Sequence, residues 1–295
     1  MPGETTAKEL RQLLREGLLI GDGGMGTRLR AEGLLPHESE ELLNVQRPDP
    51  VRAAHRAFLE AGSDIIQTNT FQGNRISLSR RGLGARTDEL NRAAAALARE
   101  AAGDQAFVAG SIGPTGGILA PLGDLDQSAA RAAFAEQATA LAEGGVDLFI
   151  VETFTALEEI RLAIDVASDT GLPVVASMAF DPSKRTAFGV TPEQAAQRLE
   201  AAGATVVGAN CGTISPAEMV DILAAFRGAT SLPLIAQPNA GRPQQTESGV
   251  VYPEKPESFA DAAARFRELG ATIIGGCCGS TPDHIRAIAA RLRNR

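Results

Sequence analysis

Short runs of Val, Ile, Leu and Ala recur along the chain between longer stretches in which apolar residues return every three or four positions. Eight such runs stand out: LLIGDGG (18–24), DIIQTNTF (64–71), AFVAGSIG (106–113), VDLFIVETF (146–154), LPVVASMAF (172–180), ATVVGANCG (204–212), LPLIAQPNAG (232–241) and ATIIGGCCG (271–279). A strand buried on both faces reads as a continuous apolar run, whereas an amphipathic helix repeats with a period near 3.6. The intervening DPVRAAHRAFLEAG, QSAARAAFAEQATALAEGG and PEQAAQRLEAAG have the helical spacing. Thr191-Pro192, Ser215-Pro216 and Thr281-Pro282 each put an N-capping hydroxyl before a proline at the first helical position. Eight strand–helix alternations in 295 residues predict an α/β fold, a (β/α)8 TIM barrel rather than an open sheet, formed as a single domain over 1–295.

The runs share an internal echo. EAGSDIIQTN, EGGVDLFIVE, AAGATVVGAN and ELGATIIGGC all place a glycine at a helix end, two further residues, and then a β-branched run. The glycine suits the position just past a helix C-cap, and the run is the next strand. What varies is the residue at the far end of each strand: Asp22, Asn69, Glu152, Asn210, Cys211, Asn239, Cys277 and Cys278. That end of a (β/α)8 barrel carries the chemistry. Polar residues that merely mark a strand's exit from the core would account for single positions but poorly for all three cysteines of the chain.

Composition narrows the partners. A formal net charge of -8 and a pI near 5.1 disfavour nucleic acid and anionic membranes, which attract a basic footprint. The start MPGETTAKELRQLL has neither the charged n-region nor the apolar h-region of a signal peptide, and no apolar run approaches a membrane span, so a cytoplasmic protein is expected. Three cysteines cannot form a disulfide framework in such a chain.

Metal chemistry explains their placement. With strands 6 and 8 separated by one parallel strand, Cys211 and the Cys277-Cys278 pair project at the same mouth, and Gly275, Gly276 and Gly279 permit the sharp turn that lets adjacent cysteines both ligate. Zinc favours a tetrahedron of soft ligands, and three protein thiolates with one exchangeable position form a catalytic rather than a closed structural pattern. Spacing alone leaves two other readings open, a vicinal disulfide and plain buried thiols.

Seven motifs in order, GDGGMGT (21–27), TNTF (68–71), GSIGPTG (110–116), ETF (152–154), ANCG (209–212), QPNAG (237–241) and GGCCGSTPDHI (275–285), cover nearly the whole chain, which resembles the homocysteine S-methyltransferase family. The resemblance implies a barrel with one Zn2+ per chain on Cys211, Cys277 and Cys278. It also implies transfer of a methyl group to the thiol of L-homocysteine, giving methionine. A free thiol with a pKa of about 8.5 is mostly protonated at neutral pH; coordination removes that proton and leaves a nucleophilic sulfur. The same resemblance assigns Glu152 to the substrate ammonium and the Gly23-Gly24-Met25-Gly26 backbone to its carboxylate, with Asp22 in the same loop. It gives Asn239 the fourth zinc position when substrate is absent. His37, His55 and His284 receive no catalytic role. The polar stretch 242–257 is expected to be a long loop at the mouth.

The donor expected from GPTGG…PLGDLD (113–126) is methylcobalamin, as in cobalamin-dependent methionine synthase, with S-methylmethionine or betaine as alternatives. The chain ends at Arg295, just past the eighth unit, so cobalamin- and folate-binding modules are expected on other domains or proteins, reached through an open, polar mouth. Two other classes are weaker. A zinc-thiol sensor needs no amino-acid pocket beside its metal. A phosphate-handling aldolase needs a Schiff-base lysine or a phosphate-binding glycine loop after strands 7 and 8, whereas the eighth strand carries GGCCG and Lys8, Lys184 and Lys255 all fall outside strands.

Overall fold

The computed structural model describes residues 3–35, 38–247 and 249–293, so His37 lies outside the described residues. Its strands, in chain order, are β1 (Leu19–Ile20), β2 (Ile65–Gln67), β3 (Phe107–Ile112), β4 (Leu148–Phe154), β5 (Val174–Met178), β6 (Val206–Asn210), β7 (Leu234–Gln237), β8 (Gln244–Thr246), β9 (Gly249–Val251) and β10 (Ala271–Ile274). Eight of them pair in the order β1-β10-β7-β6-β5-β4-β3-β2, each falling inside one of the eight apolar runs. All seven ladders are parallel. Aspartates close the seam between β1 and β2. The Asp64 N–H donates to the Ile20 carbonyl at 2.7 Å while its carboxylate accepts from the Ile20 N–H at 2.8 Å. One turn higher, the Asp22 carboxylate accepts from the Gln67 N–H at 2.8 Å. The result is a nearly closed (β/α)8 barrel.

Local signals behave as the pattern requires. Gly62, Gly145, Gly203 and Gly270 all have φ between 89° and 106°, the left-handed turn that ends a helix and starts the next strand. At the first of them, Gly62 N–H bonds Leu59 and Ser63 N–H bonds Phe58, the pair of bonds that closes a Schellman turn. Thr191 and Ser215 form complete capping boxes with Gln194 and Glu218, each worth about 1 kcal/mol of helix stability. Thr281 uses the same position differently, its hydroxyl meeting His284 Nδ1 at 2.9 Å.

The alternation of side chains along each strand sorts the barrel interior into a floor and a ceiling. Leu19, Ile65, Ala109, Ile150, Val175, Val206, Ile235 and Ile273 form one buried apolar cluster with Leu10 and Leu14 of the helix Gly3–Glu16, which plugs the N-terminal end. Two residues further along, the inward positions become Gln67, Ser111, Glu152 and Ser177; on β7 the same step gives Gln237. Four residues beyond Val206 and Ile273, past a glycine, come Asn210 and Cys277. The second, larger core lies between barrel and helices and includes Phe58, Phe134, Phe154, Phe180, Phe226, Phe259 and Phe266. A polar layer is thus held from below by a packed apolar floor and from outside by an aromatic-rich shell.

Two expectations about the mouth need correction. The stretch 242–257 is not an extended loop: β8 and β9 pair antiparallel as a hairpin, and the helix Pro256–Glu268 begins within it. The mouth is also not uniformly polar, since the exposed large hydrophobics Leu35, Ile118, Leu122, Phe188, Val250 and Val251 all lie in connections that follow barrel strands. Among the described residues no helix is long and apolar enough to cross a membrane.

Candidate metal and substrate site

Cys211 leaves the end of β6 with φ 53°, and Gly212 follows at φ 76°, so the chain turns back sharply over the barrel. A side chain at Gly212 would put its Cβ 2.2 Å from the Phe180 carbonyl oxygen, which reserves that position for glycine. Cys277 and Cys278 follow β10. Their loop is fastened to the one after β7 by Cys277 N–H to the Pro238 carbonyl at 2.8 Å and Ala240 N–H to the Cys278 carbonyl at 2.9 Å. The Cys211 N–H is itself bound to the Gln237 carbonyl at 3.0 Å, so three strand ends share one backbone frame.

In that frame the three sulfurs converge. Cys211 Sγ lies 3.9 Å from Cys278 Sγ, which lies 4.0 Å from Cys277 Sγ, and all three fall within 4.8 Å of one another. The thiols are free, and these separations are far beyond a covalent S–S bond of about 2.05 Å, so a vicinal disulfide is not what the site holds. They match instead the edge of a tetrahedron with metal–sulfur bonds of about 2.3 Å, which is about 3.8 Å. Hydrogen bonds with Cys211 and Cys277 pull the Cys278 thiol down to about 3, while those with Cys211 and Cys278 push Cys277 up. Three thiols this close cannot all ionise without a counter-charge, which a soft divalent cation would supply.

Glu152, 7% exposed, stands in the same ceiling layer. Burial raises its pKa to about 7, against the lowering effect of the Ser111 hydroxyl, which donates to Oε1 at 2.7 Å. Asn210 Nδ2 donates to Oε2 at 3.1 Å. A buried carboxyl with so few charged partners is poised for a cation. Asp22 is likewise pushed up to about 7 by burial, opposed by its hydrogen bonds from Gln67. Its carboxylate is already engaged in closing the barrel.

The glycine loop after β1 is packed under the cysteines. Gly24 N–H is taken by the Ser280 carbonyl and hydroxyl, both at 3.2 Å, so this group is not free for a ligand. A Cβ on Gly24 would meet the Cys277 carbonyl at 2.7 Å, which is why only glycine fits there. Met25 opens the short helix Met25–Ala31, whose first-turn N–H groups have no acceptor within the helix. Asn239, 2% exposed, donates Nδ2 to the Gly212 carbonyl at 2.8 Å and leaves a buried Oδ1 without a partner beside the cysteine loops. An orphaned acceptor of this kind fits an electropositive ligand. The donor set and that acceptor together fit zinc.

Several contributors were not given a role by sequence reasoning. Ser111 and Ser177 are plain strand serines until the barrel closes. Tyr252, the chain's one tyrosine, comes after the hairpin, interacts with Cys278 and covers Gly279 so tightly that a Cβ there would lie 2.2 Å from its ring. Glu40, raised by burial, lies against Gly26 and pairs with Arg30 at 2.8 Å. The two described histidines stay out of the site: His55 is fully buried with neither ring nitrogen bonded, and His284 bonds Thr281 and the Glu254 carbonyl.

Comparison with known proteins gives a concordant picture. The sequence profile described as Homocysteine S-methyltransferase matches residues 19–292. A methionine synthase of Mycobacterium tuberculosis is 33% identical over 305 residues, covering 97% of this chain and 25% of the relative. That of Mycobacterium leprae is 33% identical over 303 residues, covering 96% and 25%. The chain thus spans about a quarter of the length of the curated relatives it matches. Among solved structures, the metallated form of the homocysteine methyltransferase MmuM from Escherichia coli superimposes with a TM-score of 0.80 at 26% identity, covering 96% of this chain and 99% of that one.

Proposed function

The chain belongs to the homocysteine S-methyltransferase family, and from that premise we propose that it methylates the thiol of L-homocysteine to give methionine, at a zinc ion held by Cys211, Cys277 and Cys278. The observation that carries this reading is the convergence of three free thiols within 4.8 Å of one another, joined through Asn210 to a buried carboxylate. A metal store would need the thiols but not Glu152. Zinc, when bound, would supply the Lewis acidity that lowers the pKa of the incoming thiol, so that its proton is lost to water and the sulfur stays nucleophilic.

The protein's own groups do the rest. Glu152, held at both oxygens, takes the substrate ammonium by a charge-assisted hydrogen bond. The loop carrying Asp22, Gly24 and Met25 receives the carboxylate, through the first-turn N–H groups of the helix it opens. Asn239 Oδ1, buried without a partner beside the cysteine loops, would hold the cation's fourth position when substrate is absent. Fixing ammonium, carboxylate and sulfur at three points would hold the sulfur in one orientation for in-line attack on a methyl group.

For the donor we favour methylcobalamin presented by another domain or protein. Support comes from the relatives named methionine synthase, which are about four times as long as this chain, and from the six exposed hydrophobics around the mouth, which suit a macromolecular partner. A second reading, a small donor such as S-methylmethionine or betaine, draws on the match over 99% of a homocysteine methyltransferase chain. Incubating the zinc-loaded protein with homocysteine and each of the three donors, and measuring methionine, separates them. Product from methylcobalamin alone is expected; product from S-methylmethionine or betaine alone would reverse the assignment.

A further inference from the structure

We propose that Asn210 is a positioning residue that sets the spacing between the Glu152 carboxylate and the three-cysteine site, and through it the choice of acceptor. The inference rests on the reading above. Asn210 is fully buried at the last position of β6, immediately before Cys211. Its side-chain amide can be oriented without ambiguity, because the Thr153 N–H, which can only donate, meets Oδ1 at 2.8 Å. The Ser177 hydroxyl donates to the same oxygen at 2.8 Å.

With Oδ1 fixed from two sides, Nδ2 is aimed. It lies 3.1 Å from Glu152 Oε2, 2.6 Å from Thr153 Oγ1 and 3.9 Å from Cys277 Sγ. One planar group therefore touches the carboxylate and a thiol at once. With Ser111 holding the other oxygen, the Glu152 carboxylate cannot swing.

The backbone tells the same story. Thr153 has φ 65°, a left-handed conformation that a β-branched residue rarely adopts, and its N–H bond to Asn210 stabilises that turn. Cys211 has φ 53° on the other side of Asn210. The turn after Glu152 is thus anchored on this residue by a hydrogen bond, and the turn that displays Cys211 begins immediately after it.

A group that only supported the fold would, on removal, weaken binding of every thiol alike. A spacing group would cost homocysteine, which must reach both anchors, and spare 4-mercaptobutyrate, the same chain without the ammonium. The test uses cobalt(II)-substituted full-length protein, in which sulfur-to-cobalt charge-transfer absorption reports thiol binding. Wild type is expected to prefer homocysteine. In Asn210→Ser that preference falls about tenfold or more, with metal content kept and 4-mercaptobutyrate affinity little changed. Ser177→Ala, which removes only a donor to Oδ1, should show the same selective loss in smaller measure and serves if Asn210→Ser does not fold. Equal loss for both thiols, or an unchanged preference in Ser177→Ala and Asn210→Ser, would overturn the role of Asn210 while leaving the site reading intact. Failure of wild type to bind homocysteine at all would overturn both.

Discussion

Replacing Cys211, Cys277 or Cys278 by alanine is expected to abolish zinc binding at ordinary concentrations and, with it, methionine formation, while leaving the barrel folded. Structural zinc sites in small peptides bind with about 10–16 kcal/mol, so losing one of three thiolates should cost on the order of 4 kcal/mol, or roughly a thousandfold in affinity. The fold survives because none of the three belongs to the apolar floor or the outer core. Metal analysis after anaerobic purification and thermal unfolding against metal-stripped wild type check both halves. A variant that keeps a full equivalent of zinc removes that cysteine from the ligand set.

Glu152→Gln is expected to separate substrate recognition from metal binding. The charge-assisted bond it weakens is worth about 1.5–3 kcal/mol, so homocysteine affinity should fall about ten- to a hundredfold with zinc content unchanged. Its effect on 4-mercaptobutyrate should be small. Cysteine, one methylene shorter than homocysteine, cannot reach both anchors and should bind weakly to wild type. The pH dependence has a definite sign. Burial holds Glu152 at about 7, above the ordinary value of 4.5, so the free site loses its anion as pH falls through about 7. The wild-type advantage over Glu152→Gln should therefore grow as pH rises to about 7 and level off above it, a ratio that cancels the thiol ionisation common to both proteins. A ratio independent of pH between 5 and 8 would contradict this role, since those limits bracket the value of about 7.

Much of this site was legible in the sequence because a barrel translates linear order into geometry. Each apolar run is a strand, and the residue at its far end lies at the mouth; that logic put Glu152, Asn210 and Cys277 at one end of the barrel. The capping hydroxyls fixed where helices begin, and the glycines after helices fixed where strands begin. Other features carried no local signal. The hairpin β8–β9 is short, exposed and polar at Gln244–Thr246, so it lacks the alternation that marks a half-buried strand. The Gly24 N–H is satisfied by Ser280, 256 residues away, and nothing near Gly24 announces it. Ser111 and Ser177 look like filler inside apolar runs, and only neighbouring strands in register turn them into supports for Glu152 and Asn210. Glu40 reaches Gly26 through a loop whose course no periodicity encodes.

The central claim is that homocysteine sulfur joins the three cysteines on one zinc ion, and X-ray absorption at the zinc edge tests it most directly. Without substrate the account predicts three sulfur neighbours and one lighter atom, the latter consistent with Asn239; on adding homocysteine the lighter atom should be replaced, giving four sulfurs at about 2.3 Å. A zinc shell that keeps its lighter neighbour at saturating homocysteine, or that never contains three sulfurs, would contradict it.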